Sequence, residues 1–524
     1  VAIVVNITED HLDRYDYKFE NYINSKFRIA MNQQKDDYFI YCADDEITMK
    51  YLNQFNKMRY ALIIISFLLI ALTSCKSNQN PVLKIEGGLI QGVETETPGI
   101  YVYKGIPYAA PPVGDLRWKA PQPVIPWEGV KVADTYGPAA MQAPRQPGSF
   151  YYIEFFTDDG HQVSEDCLYL NVYTSSPGKT NARLPVAVYI HGGAYASGYC
   201  YEKQFLGGEE WMKHGVILVT INYRLNLFGF LAHPELSAED AHGVSGNYGI
   251  LDQIAALKWV KNNIHQFGGN PDNVTVFGQS AGAMSIQQLI TSPLSKDLIH
   301  KAIMQSGGGI SDRPSLGGSQ LEAAEQAGKA MMELGGYKNL EAMRSAPVDS
   351  IMALMNRARR ERRGGMMGPV ADGYVLTTSF SEATRTDKIA DIPYIIGYNT
   401  DDMGMMKNGL GQFCLSRETN GGKAYAYEFS RALPGDSAGA FHSAELWYVF
   451  KTLDKSWRPF TDGDYVLSDY MVDFWTNFAK YGNPNGKEKE VWLPYTEANQ
   501  EFMVFKLNDE GIAEASMMLP SNPQ

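Results

Sequence analysis

Residues 274–290 impose the tightest constraint in the chain. The run Val274-Thr-Val-Phe277 passes directly into Gly278-Gln279-Ser280-Ala281-Gly282, and from there into a helical stretch, Met284 to Ile290. A turn this abrupt leaves no room for side chains two positions before and two after the serine, so both positions need glycine. It also sets the serine at the N-terminus of a helix, where partial positive charge favours a developing anion. In a chain with 49 glycines the short pattern can arise by chance; the strand before it and Ala281 after it give it meaning. The pattern predicts Ser280 as a nucleophile at the end of a buried strand.

The surrounding sequence predicts the kind of sheet that strand belongs to. Pro185–Ile190, Gly215–Ile221 and Ile392–Ile396 are further short runs of apolar residues bounded by turn residues, which read as buried strands. Between the second of these and Val274, Leu251 to Ile264 carries Ile254, Leu257, Trp259 and Val260 at near-helical spacing, as a crossover helix would. Such alternation implies an α/β fold: a mostly parallel central sheet covered by helices, in one large domain with insertions. Residues 310–365 read as a helical, Met- and Arg-rich insertion whose Arg357, Arg359, Arg360, Arg362 and Arg363 form a solvated helix face.

Composition narrows the function. A hydrophobic fraction of 44% suits a packed core, and a net charge of −13 argues against a nucleic-acid partner, whose phosphates require clustered Lys and Arg. The five cysteines (Cys42, Cys75, Cys167, Cys200 and Cys414) contain no C-x-x-C pair, and the nine histidines no H-x-x-x-H or H-E-x-x-H spacing, so no metal site is expected.

Two further groups complete a reaction centre around Ser280. At the end of run 185–190 stands His191-Gly192-Gly193-Ala194. Glycine lets backbone N–H groups approach a substrate oxygen, so Gly192, Gly193 and Ala281 are the expected oxyanion donors, with His191 bracing the loop. The elbow resembles that of the α/β hydrolases, in which serine, acid and histidine follow in that chain order. Only His300 and His442 lie downstream of Ser280. His300 leaves no room for an intervening acid on a later strand, which leaves His442.

Segments across residues 82–510 extend the resemblance: Tyr103-Lys-Gly-Ile-Pro-Tyr-Ala109, Glu165-Asp-Cys-Leu-Tyr-Leu-Asn171, Asn222-Tyr-Arg224, Gly246-Asn-Tyr-Gly-Ile-Leu-Asp-Gln253, Phe267-Gly-Gly-Asn-Pro271 and Trp475-Thr-Asn-Phe-Ala-Lys-Tyr-Gly-Asn-Pro484. Together they resemble the type-B carboxylesterase family, which includes cholinesterases and bacterial nitrobenzyl-esterase-like enzymes. The resemblance implies a hydrolase that needs no cofactor, with a gorge over the C-terminal edge of the sheet. It also places the acid: the family's Gly-x-Asn-x-x-Glu falls on Gly397-Tyr-Asn-Thr-Asp401-Asp402, putting Asp402 in register and leaving Asp401 to face solvent or cap a following turn. Besides Asp for Glu, two departures stand out. Ala140 occupies the place of a family cysteine, which leaves Cys167 a free, buried thiol. Gln279 replaces a Glu, removing a charge that would favour cationic substrates.

The first residues have another character. Residues 61–72 are an apolar run preceded by Lys57 and Arg59 and followed by Thr73-Ser74-Cys75. The run is too short to span a membrane comfortably and suits a signal peptide. With Leu72 three positions before Cys75, it resembles a bacterial lipoprotein signal over 58–75, with Met58 as start, Cys75 as the acylated residue, 76–81 as a tether and the hydrolase at 82–524. The product would be exported and lipid-anchored. Asn6-Ile-Thr-Glu-Asp-His11-Leu-Asp-Arg14, with Lys26 following, resembles the central domain of a Mur ligase, but no phosphate loop accompanies it. Residues 1–57 are therefore expected to be a fragment of a neighbouring gene or a mis-called start.

The expected function is hydrolysis of carboxylic esters by a serine nucleophile. A catalytically silent binding protein of the same fold is the alternative, but such relatives lack part of the triad and this chain lacks none; a Mur-type ligase would need the missing phosphate loop. The sequence does not choose among acylated polysaccharides, xenobiotic esters and short-chain lipids as substrate.

Overall fold

Strands that lack apolar–polar alternation are stable only where both faces are covered. The computed structural model, which describes residues 2–4, 18–27, 39–41, 80–155, 161–311, 319–361, 367–487 and 490–521, shows that arrangement. The chain divides into two compact units, Val1–Gln79 and Asn80–Gln524. In the first, Ala2–Val4 pairs in parallel with Phe39–Tyr41, and a helix spans Phe19–Phe27. Asn6–Arg14, Met58, the apolar run 61–72 and Cys75 lie outside the described residues, as does the side chain of Lys26.

The second unit is built on an 11-stranded sheet. Its strands in chain order are β1 (Val93–Glu94), β2 (Tyr101–Pro107), β3 (Tyr169–Thr174), β4 (Leu184–Ile190), β5 (Ile217–Ile221), β6 (Gly269–Gln279), β7 (Lys301–Gln305), β8 (Tyr394–Asn399), β9 (Ala424–Phe429), β10 (Phe502–Leu507) and β11 (Ala513–Met518). In space they run β11-β10-β9-β8-β7-β6-β4-β5-β3-β2-β1. Strands β4 to β10 are mutually parallel, and antiparallel pairs finish both edges. Every residue of β5, β7, β8 and β9 is buried.

The sequence-expected elements are present with shifted ends. The strand expected from Gly215 begins at Ile217, because Gly215, at φ 72°, closes the preceding helix by donating to the Met212 carbonyl at 2.8 Å. Residues 251–263 fall within a helix, α2 (Tyr248–Asn263), with Ile264 opening the 3-10 turn that follows; α2 comes after a short helix α1 (Phe150–Phe155), and the elbow helix is α3 (Ala281–Thr291). The 310–365 insertion contributes Leu321–Gly335, Leu340–Arg344 and Val348–Arg360. Met331 and Met343 pack there with Leu334, Ile351 and Leu354 in a second core shared with Trp118, Leu227 and Tyr248, while Arg357, Arg359 and Arg360 are exposed. Arg362 and Arg363 lie outside the described residues.

The sheet reverses its winding at β4, which has β5 on one side and β6 on the other. At such a switch point the loops leaving the two strands part and open a crevice beyond their C-terminal ends. Here the crevice is bounded by a backbone contact: a Cβ added to Gly282 would lie 2.0 Å from the Ile190 carbonyl oxygen, and one on Gly278 would lie 2.6 Å from it. Gly282→Ala is therefore expected to push α3 off β4, lowering stability by about 1–3 kcal/mol or more and reducing activity. Urea unfolding and ester turnover check this; an unchanged midpoint would show that the contact has slack.

Candidate active site

Register brings the two loops level. Ile190 pairs with Gly278 across β4 and β6, so Gly192 stands beside Ser280, and a Cβ on Gly192 would come within 3.1 Å of the Ser280 Cβ. Ser280 has φ 58° and ψ −124°, a conformation that L residues rarely adopt and that costs on the order of 1–3 kcal/mol. The surroundings hold it there: its N–H donates to the Gln305 carbonyl and its own carbonyl accepts from the Met284 N–H, both at 2.9 Å.

The glycine loop is similarly pinned. Gly193, Ala194 and Tyr195 have φ of 104°, 55° and 57°. The Gly193 carbonyl accepts from the N–H groups of Ala196 (2.9 Å) and Ser197 (3.0 Å). Gln142 grips Gly198 from both sides, its Oε1 accepting the Gly198 N–H at 2.8 Å and its Nε2 donating to the Gly198 carbonyl at 3.0 Å. Among the described residues the N–H groups of Gly192, Gly193 and Ala194 have no backbone acceptor, and that of Ala281 is the first of a helix, without a partner inside it. Ala194 was not among the donors expected from sequence; nothing in the sequence shows a non-glycine residue at positive φ. His191 is buried, its ring stacks on Tyr223 at 4.6 Å, and its Nδ1 lies 2.8 Å from the Gly192 carbonyl. Burial pulls its pKa down to about 4, against the pull of that backbone hydrogen bond, so it is neutral near pH 7 and suited to bracing.

His442 and Asp402 meet across the loops that follow β8 and β9. His442 Nδ1 lies 2.5 Å from Asp402 Oδ1, and the Asp402 side chain is fully buried. The carboxylate also accepts from the N–H groups of Met403 (2.8 Å) and Asn399 (3.3 Å). Asp401, expected to face solvent or cap a following turn, is exposed, and it also accepts the Ala440 N–H at 2.7 Å and donates its own N–H to the Ala440 carbonyl at 3.2 Å. The two exchanged bonds clamp the histidine loop to the acid loop. Gln279 Nε2 stands over the imidazole, 3.2 Å from His442 Nε2 and 3.5 Å from its Nδ1. His300 lies at the opposite end of β7 from the elbow, where its N–H donates to the Val274 carbonyl at 2.9 Å.

One buried carboxyl was given no role from the sequence. Glu445, three residues after His442, accepts from Asn399 Nδ2 at 2.6 Å and Gln305 Nε2 at 3.3 Å, while Asn399 Nδ2 also reaches the Phe441 carbonyl at 2.7 Å. Burial raises its pKa to about 7; the Asn399 hydrogen bond opposes the rise and the Asp402 charge adds to it. The only signal in the sequence was its spacing from His442.

Over Ser280 opens a cavity of about 390 Å³, walled in part by Tyr151 and Phe155 of α1, by Leu446 and by Met403. The wall is tied to the His442 loop. Glu154 of α1 is buried and accepts from Arg458 Nε (2.9 Å), Trp447 Nε1 (2.8 Å) and Trp457 Nε1 (3.1 Å), and Tyr151 donates its hydroxyl to the His442 carbonyl at 3.2 Å. Cys167, Cys200 and Cys414 are free and buried.

A folded-state pKa raised to about 7 means that Glu445 keeps its proton where an unfolded glutamate, near 4.5, has lost it. Stability is then greatest below the unfolded value and declines as pH rises through the folded one. Glu445→Gln cannot ionise, and is expected to remove a pH dependence on the order of 3 kcal/mol across that window, measured as the slope of urea midpoints between about pH 5 and pH 7. An unaltered slope would assign the proton to another group.

Residues 79–413 and 402–518 match the carboxylesterase family, and residues 1–77 match the Mur ligase middle domain. The chain is 38% identical over 488 residues to the fumonisin B1 esterase of Sphingopyxis macrogoltabida, covering 80% of this chain and 85% of that one. It is 33% identical over 477 residues to the para-nitrobenzyl esterase of Bacillus subtilis (strain 168), covering 80% and 93%. A solved PNB esterase structure superposes with a TM-score of 0.72 at 29% identity, covering 84% of this chain and 97% of that one. With the family match running through the elbow and the histidine loop, the chain belongs to the carboxylesterase family and is a carboxylic ester hydrolase of α/β-hydrolase fold.

Proposed function

We propose that this hydrolase works through an acyl-enzyme intermediate, with Ser280 as nucleophile, His442 as base and then acid, and Asp402 as the group that orients the imidazole. The single observation that carries the reading is the 2.5 Å contact between His442 Nδ1 and Asp402 Oδ1. A carboxylate at Nδ1 keeps the proton there and leaves the Nε2 lone pair for the serine hydroxyl. In the first half-reaction Ser280 Oγ attacks the ester carbonyl as its proton passes to Nε2. The N–H groups of Gly192, Gly193 and Ala281 stabilise the resulting oxyanion. Collapse breaks the ester C–O bond, and the alcohol leaves with the proton from Nε2. Water then repeats the sequence on the acyl-serine, releasing the carboxylic acid. For this step Ser280 Oγ comes within hydrogen-bond reach of Nε2, a contact that commonly tightens when substrate binds.

The substrate is a small-molecule or polymer-borne carboxylic ester. We further propose that Cys75 carries a lipid anchor after removal of a signal at 58–75, placing the enzyme on a bacterial membrane; the support is the Leu72-Thr73-Ser74-Cys75 box. Among the described residues, no helix is long and apolar enough to cross a membrane.

Ser280→Ala is expected to leave only the residual acceleration of roughly 10³–10⁴ over water that an oxyanion hole and binding supply, and an organophosphate label should map to Ser280 by peptide mass. A label on another residue would refute the assignment. Asp402→Asn should lower turnover by up to about 10⁴. Asp401→Asn, which keeps an acceptor for the Ala440 N–H, should cost far less, and the reverse order would move the acid to position 401. Cys75→Ser should shift ester hydrolysis from the membrane to the soluble fraction or stall processing, since two acyl chains make such anchoring stable; unchanged partition would rule out lipidation there.

A further inference from the structure

The cavity over Ser280 is lined by an ion pair with a direction. Arg145, in the segment leading to α1, pairs through Nη2 with Glu202 Oε1, and its Nη1 donates to the Tyr151 carbonyl at 3.4 Å. The side chain of Glu202 is 5% exposed and that of Arg145 is 18% exposed. The carboxylate takes a second bond from Gln204 Nε2 at 2.8 Å, which seals it into the wall below the glycine loop. The cation is therefore the open pole. A guanidinium carries five N–H donors in a rigid fork that matches a carboxylate, and the contacts just named leave donors for a ligand in the cavity.

Among the described residues, the other charges nearby are consumed. Asp402 is fully buried against His442 and two backbone N–H groups. Glu445 is buried against Asn399 and Gln305. Among the cavity's walls Arg145 thus offers a charged donor amid Tyr151, Phe155 and Leu446, which suit hydrocarbon. A charge-assisted contact to a partly desolvated arginine is stronger than a neutral hydrogen bond, and a bidentate one adds orientation.

Resting on the Ser280 reading above, we propose that Arg145 is a specificity residue that receives a free carboxylate carried by the ester, so that the preferred substrates are carboxylate-bearing esters with an otherwise apolar chain. The carboxylate lies away from the scissile bond and takes no part in bond breaking; its contact positions the ester carbonyl over Ser280.

The test compares kcat/KM on matched pairs: 4-nitrophenyl pentanoate against 4-nitrophenyl hydrogen glutarate, with the charge on the acyl half, and phenyl acetate against 4-acetoxybenzoate, with the charge on the alcohol half. In one pair the anionic-to-neutral ratio should fall at least about tenfold in Arg145→Gln and recover substantially in Arg145→Lys, consistent with the selectivity of a site built for one polar group. A ratio unchanged within about threefold in both pairs overturns the proposal. Because Arg145→Gln strands the buried Glu202, the double variant Arg145→Gln with Glu202→Gln repeats the measurement without an orphaned charge. The unaltered enzyme gives an independent reading: glutarate should inhibit neutral-ester hydrolysis at least about tenfold more strongly than glutaramide, and equal inhibition counts against the proposal. Hydrolysis of neutral esters without charge discrimination sinks this inference alone, whereas no hydrolysis of any ester sinks the serine-esterase reading with it.

Discussion

The contact on which the rest of this structure depends is between two backbones. Gly282, in the first turn of α3, rests on the carbonyl of Ile190 at the end of β4, with Gly278 against the same oxygen. No residue with a Cβ fits there, and the closeness puts the glycine loop beside Ser280. Ser280, between those two glycines, has φ 58°, and its bonds to Gln305 and Met284 hold it there. The register between β4 and β6 then turns a local turn into a two-loop site.

The reaction centre is assembled from pieces far apart in the chain, and each is held by cross-loop bonds. Asp401 exchanges two bonds with Ala440, and Asn399 bridges the Phe441 carbonyl and Glu445, so the loops after β8 and β9 form one unit. Glu154 joins α1 to that unit through Arg458 and two tryptophans. A reacting constellation must be held to a fraction of an ångström, and rigid partners of this kind supply that.

Several quoted motifs proved to be buried staples rather than chemistry. Arg224 grips Asp252 at 2.6 and 2.8 Å with neither exposed, and Arg117 grips Glu165 at 2.6 Å through two nitrogens. Asn171 accepts the Gly105 N–H at 2.9 Å while donating to Thr220 at 3.0 Å. Such groups add little net stability over apolar packing, but losing one partner leaves a buried charge or dipole exposed to nothing, which makes the alternatives costly. They fix which loop lies against which.

The sequence by itself determined what local sterics and period decide. The run 274–290 reads as strand, sharp turn and helix from its glycines and their setting, and the short apolar runs bounded by turn residues read as strands buried on both faces; both were legible without any partner. Strand ends were less so, since closure of a helix by Gly215 depends on carbonyls four and fewer residues away that the apolar pattern does not mark. Tertiary structure alone decided the rest. Asp401 and Asp402 are chemically identical neighbours, and only the approach of the 439–445 loop separates a clamp from the partner of His442. Glu445 reads as one more charge until the sheet buries it, and the Arg145–Glu202 pair has an open pole only because its two ends meet different depths of the same wall. Those outcomes follow from distances between residues remote in sequence, and from the dielectric around them, neither of which is written in local pattern.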